Sequence, residues 1–139
     1  YELFETYAPT FNKNKHFTTD FEPYEGRKSY AESTAGGFYA CRLAILEKLK
    51  GLRRQASVIA LRFITAEYTI PLGVFVVRGS VRKTLSNKPL EFGSKELMLK
   101  YAEALIKKKF NINVYDLLRC SKVFGNLKHQ RKLTKFLTY

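Results

Sequence analysis

His16, Asp20, Glu25 and Glu32 fall within one polar and aromatic opening stretch, shortly before a glycine pair at Gly36 and Gly37. A histidine and carboxylates beside a helix start can move protons during chemistry on a phosphate or nucleotide, with Asn12, Asn14 and Lys15 as positioning groups. Plainer uses exist for the same residue types. His16 serves equally as a structural or binding hydrogen-bonding group, and Glu32 as a complement to a helix N-terminal dipole. His16 and Glu32 are therefore the catalytic candidates, each with a structural alternative. Gly36 and Gly37 permit either close packing or backbone approach to an anion at the helix N-terminus. The sequence contains no serine or cysteine nucleophile pattern, Walker loop or metal-ligand cluster. Its cysteines, Cys41 and Cys120, form no C-x-x-C pair, so neither a zinc ribbon nor a disulfide framework is expected, and no metal or cofactor is expected for these residues.

Two further sets carry charge or apolar anchors. Lys48, Lys50, Arg53 and Arg54 crowd one stretch, and Arg78 and Arg82 stand four apart, a spacing that aligns them on one helix face. These six are candidate phosphate contacts; solvated helix surfaces and C-terminal dipole complements are the alternative. Near the end, Gln130, Leu133, Phe136 and Leu137 have the spacing Q-x-x-L-x-x-F-L within QRKLTKFL. One 3₁₀ turn brings Leu133, Phe136 and Leu137 to one side, because residues three apart eclipse in that helix. The product is a small apolar plug with a glutamine beside it, which either packs on its own domain or enters a partner's groove. Its place at the end of the sequence favours the partner, and Lys128, Arg131, Lys132 and Lys135 can assist encounter with an acidic surface or DNA.

The elements that position these groups read as a mixed domain, α+β or α/β, with a few strands and about four helices, followed by a flexible basic tail. Tyr1 to Tyr30 shows no sustained period and is punctuated by Pro9, Pro23 and Gly26, which predicts a long aromatic loop with a short strand around Lys15 to Phe21. Ser33 and Thr34 are placed to cap a helix over 35–52. Ala56 to Ile64 is a nearly continuous apolar run that fits a buried strand. Helices are expected over 74–86, over 95–109 behind the cap Ser94, and over 114–120, with a short strand at Leu90 to Phe92. The division is a domain over 1–121 and a basic tail over 122–139.

A chain of 139 residues has room for one domain of ordinary size. Its 25 Lys and Arg against 12 Asp and Glu give a net charge of +13, which favours a polyanionic partner. Residues 107–139 hold nine of those cations and a single acid, Asp116, so the excess is concentrated there. No apolar run approaches the roughly 20 residues needed to span a bilayer, and the cysteine content suits a reducing, cytoplasmic setting.

Several stretches resemble a known family. The segments YAPTFNKNKHF, FEPYEGRKSYAESTAGGFYACRLAILE, RRQASVIALRF and IPLGVFVVR are similar to the C-terminal region of the archaeal Nre family of DNA repair proteins. QRKLTKFL resembles the motif by which proteins dock on the sliding clamp PCNA, with Leu137 where a second aromatic is usual. The resemblance implies a part in DNA repair coupled to PCNA and DNA, and a longer polypeptide whose N-terminal half is not among these residues.

Overall fold

The computed structural model describes residues 1–70 and 73–129; the motif positions Gln130, Leu133, Phe136 and Leu137 lie outside them. Among the described residues the order is β1 (Glu2–Tyr7), α1 (Ala8–Asn14), β2 (Thr18–Phe21), α2 (Ala35–Leu52), β3 (Ile59–Ile64), α3 (Val74–Ser86), α4 (Lys95–Phe110), α5 (Tyr115–Leu118) and α6 (Lys122–His129). This is a small mixed α+β domain. The sheet order is β2-β1-β3, with β1 antiparallel to β2 and parallel to β3.

The first strand is the middle of the sheet, and its alternation sorts the helices into two layers. Leu3 belongs to one buried cluster with Phe38, Cys41 and Ile45 of α2 and Val77 of α3. Its neighbour Phe4 belongs to another with Phe11 of α1, Ile106 of α4 and Leu117 of α5. Both faces of β1 are thus covered, so its side chains alternate between two helical layers rather than between core and water. That is why the expected loop over Tyr1 to Tyr30 contains β1 and α1 as well as the expected short strand, which forms as β2 at Thr18–Phe21: no polar face marks β1. Pro9 fits the first turn of α1, where its missing N–H costs nothing.

Helices α2, α3 and α4 form where the apolar spacing places them, and Ser94 caps α4 by accepting from the Leu97 N–H at 3.2 Å. Other elements differ from expectation. The strand within Ala56 to Ile64 begins at Ile59 and is a sheet edge, each residue only partly buried, because β1 takes the central place. Leu90 to Phe92 forms no strand, and Phe92 instead packs on Tyr101 of α4 with ring centres 5.4 Å apart. The helix expected over 114–120 is regular only at Tyr115–Leu118.

The first eight residues assigned to the tail, Lys122–His129, are helical and docked. Glu2, 2% exposed, holds them: its carboxylate accepts from the Ser121 hydroxyl at 2.5 Å, the Lys122 N–H at 3.1 Å and the Val123 N–H at 3.2 Å. A carboxylate from the central strand therefore complements the orphan donors and positive dipole at the start of α6. Glu2→Ala strands these buried donors and is expected to lower unfolding free energy by about 2–4 kcal/mol, read from urea melts. Glu2→Gln, which keeps an acceptor oxygen, is expected to lose less.

Candidate nucleic-acid interface

The acid/base candidates are not assembled into one site. His16 is exposed; its N–H donates to Asn14 Oδ1 at 2.9 Å and its carbonyl accepts from Thr6 Oγ1 at 2.7 Å. Glu32 is also exposed, and its N–H lies on Asp20 Oδ1 at 3.3 Å. Asp20 is four residues beyond His16 along an extended chain, on the order of 13 Å at strand rise, which sets the two candidates at opposite ends of β2. The positioning groups are engaged structurally. Asn12 Nδ2 donates to the Asn111 carbonyl at 2.8 Å, and Lys15 pairs with Asp116 at 2.7 Å. Among the described residues no group of three His, Cys, Asp or Glu could hold a metal ion.

The helix start that followed these candidates is filled from inside. A Cβ on Gly36 would meet Val74 Cγ1 at 2.8 Å, and one on Gly37 would meet Glu5 Oε1 at 2.9 Å. The glycine pair therefore serves close packing, and the anion at the N-terminus of α2 is the Glu5 carboxylate, itself paired with Arg62 at 2.9 Å. Asp20 secures the preceding turn: it accepts from the Thr34 N–H at 2.6 Å and hydroxyl at 2.8 Å, with Arg27 at 3.6 Å. Thr34 occupies the cap position, but its hydroxyl donates to Asp20 rather than capping the helix. Sequence reading missed Glu2, Glu5 and Arg62, because their roles depend on strand register and α6.

The cationic candidates are brought together by helix direction. Gly36 of α2 touches Val74 of α3 at their starts, and Glu47 of α2 accepts from Arg82 of α3 at 2.6 and 2.8 Å near their ends. The two helices thus run the same way, and their C-termini share one end of the domain. Lys48, Lys50, Arg53 and Arg54 are exposed there. Arg82 answers to Glu47, and its hydrogen bonds hold that carboxyl below the usual range; Arg78 lies over the Phe75 ring at 5.1 Å. The α3 pair is consequently partly engaged, whereas the α2 group points its charge at solvent.

Arg53 terminates α2 in the left-handed conformation, φ 52°, with its N–H on the Lys50 carbonyl and the Arg54 N–H on that of Leu49, both at 3.1 Å. This is the position at which helices prefer glycine, since a Cβ is strained there. An arginine retained at such a cap is a conformational cost that supplies a cation. Chemically, the end of the α2–α3 pair suits the oxygens of a polyanion.

The described residues thus form a basic α+β domain in which Glu2 and Glu5 face helix starts, Asp20 holds a turn, and Lys48, Lys50, Arg53 and Arg54 are exposed at the end of α2. The family described as archaeal Nre, C-terminal, matches residues 22–136, and the chain belongs to that family. It is 41% identical over 90 residues to DNA repair protein NreA of Archaeoglobus fulgidus, covering 65% of this chain and 23% of that protein. It is 38% identical over 88 residues to DNA repair protein NreA of Haloferax volcanii, covering 59% and 21%. With DNA repair protein NreB of Archaeoglobus fulgidus it shares 36% over 107 residues, covering 74% and 27%. The chain thus spans about a quarter of the length of these relatives. No solved structure matches it.

The Asp20 network gives a pH dependence. Burial alone raises the Asp20 carboxyl, but the hydrogen bonds from Thr34 and Glu32 and the charge of Arg27 outweigh it and hold the group below its ordinary 3.8. A depressed folded-state value contributes stability above the unfolded value, lost as pH falls through the folded one. Asp20→Asn is expected to cost about 1–2 kcal/mol at pH 7, with the gap to wild type closing below about pH 4 in urea melts.

Proposed function

We propose that this chain is the clamp-docking and DNA-contacting part of an archaeal DNA repair protein. The observation that carries the clamp reading is the Q-x-x-L-x-x-F-L spacing of Gln130, Leu133, Phe136 and Leu137. Support comes from family membership and from relatives named as DNA repair proteins. Leu133, Phe136 and Leu137 enter an apolar groove of PCNA as the side of one turn, with Gln130 beside them. Helix α6 is described as far as His129, and the motif follows it in sequence. Leu137 offers less area than an aromatic at that position and makes the contact weaker than a motif ending in two rings.

DNA contact falls to the end of α2. Lys48, Lys50, Arg53 and Arg54 meet backbone phosphates, releasing counterions without reading base sequence. Arg82 and Arg78 contribute less, one being tied to Glu47 and the other lying on Phe75. A cytoplasmic, DNA-associated setting follows. Among the described residues no helix is long and apolar enough to cross a membrane. The alternative, an enzyme acting on nucleotides or modified DNA ends, needs His16 and Glu32 at one site, and the extended chain between His16 and Asp20 speaks against it.

Calorimetric titration of PCNA with wild type and with Phe136→Ala plus Leu137→Ala tests the clamp contact. Loss of both anchors is expected to weaken binding by about 2–4 kcal/mol, and equal affinity would refute the assignment. Arg53→Gly tests the DNA contact through two opposed effects. The variant is expected to unfold at a higher urea concentration, by about 0.5–1 kcal/mol, because glycine relieves the left-handed cap. It is also expected to bind duplex DNA more weakly, with the slope of log affinity against log salt shallower by about one.

A further inference from the structure

Strand β3 has the composition of an interior strand in the position of an edge strand. Its sequence, Ile59-Ala60-Leu61-Arg62-Phe63-Ile64, is apolar on both faces apart from Arg62, and Arg62 is turned inward to Glu5. Edge strands ordinarily carry lysine, proline, a bulge or an outward charge that blocks further pairing; β3 carries none of these. Both of its faces are furnished as if for a continuing sheet. Phe63 stacks on Phe110 of α4 with ring centres 4.6 Å apart, while Val77, Val81 and Leu85 of α3 overhang the other side. Between β3 and α3 runs a groove of about 530 Å³ along Val58 to Thr65, floored by Leu3, Cys41 and Ile45.

The backbone of that edge is oriented for pairing. Glu2 N–H donates to the Val58 carbonyl, and the parallel register sets Glu2 opposite Ile59 and Phe4 opposite Leu61. In a parallel ladder alternate residues turn both peptide groups to one neighbour. Ala60, Arg62 and Ile64 therefore face β1, and the peptide groups of Ile59, Leu61 and Phe63 face the groove. Among the described residues no strand occupies that side.

We propose that β3 accepts a fourth strand, supplied by the part of the polypeptide that the relatives carry beyond this region. In the NreA and NreB relatives the matched region covers only 21–27% of the protein, so most of the chain in those proteins lies outside it. An apolar strand laid along Ile59, Leu61 and Phe63 gains main-chain hydrogen bonds from the edge and side-chain burial from the groove, the mode of strand addition. β3 then becomes an interior strand, as its composition requires, and α3 becomes the cover of a four-stranded sheet.

Amide hydrogen exchange of the complete polypeptide, resolved by residue with NMR, tests this, with Ala60, Arg62 and Ile64 as internal references. The expected result is that Ile59, Leu61 and Phe63 exchange roughly a hundredfold or more slowly than an unstructured chain, at a rate independent of protein concentration. Cross-strand NOEs from these three amides should lead to residues outside the present 139. Rapid exchange at the three positions beside slow references overturns the proposal. Protection that grows with concentration alongside a dimer in sedimentation overturns it as well, since the occupant is then a second copy.

Discussion

The fold rests on β1 being covered on both faces while carrying a carboxylate toward each. Glu2 turns to one layer and receives the first turn of α6 with the Ser121 hydroxyl; Glu5 turns to the other, against the start of α2, and pairs with Arg62. A carboxylate inside a sheet is stable only where donors and positive charge compensate its lost hydration. Helix N-termini supply both. The same condition fixes the register of β1, since a slip by one residue would exchange Leu3 and Phe4 between clusters and turn both carboxylates into apolar layers.

This arrangement bears directly on function. Carboxylates that from their type alone suit acid/base work are held as structural anions: Asp20 on the turn before α2, Glu5 and Glu2 on helix starts, Glu22 on Arg42 at 2.7 Å. Lys48, Lys50, Arg53 and Arg54 remain displayed. Because α2 and α3 run in the same direction, residues distant in sequence gather at one end, and the left-handed cap at Arg53 keeps a cation where a glycine would be more comfortable. Buried thiol chemistry is likewise suppressed, since burial raises the Cys41 thiol and leaves little thiolate.

Much of this was legible in the sequence, and the limits have physical reasons. α2 and α3 announced themselves by apolar residues three and four apart, and Ser94 marked the start of α4, because one face of each meets the core and the other water. β1 did not, because a strand between two helical layers lacks a wet face. β3 was recognised as a strand, but its position at the edge depends on β1, whose pairing spans 57 residues from Glu2 to Ile59. α6 resembles a tail in sequence because its anchoring partner, Glu2, lies 120 residues before Lys122. Of the candidate site, the individual cations were visible, while their convergence needed the direction of two helices. The acid/base grouping suggested by proximity in sequence dissolved once β2 extended between His16 and Glu32.

The proposed function places binding on two separate surfaces, the end of α2 for DNA and the segment that follows α6 in sequence for the clamp. Chemical-shift mapping on the isotope-labelled protein tests both at once. Duplex DNA should shift Lys48, Lys50, Arg53 and Arg54, while PCNA should perturb the signals of residues 130–139 and leave that helix end unmoved. DNA shifts centred on His16 and Glu32, or a PCNA response confined to the sheet and helices, would contradict the account.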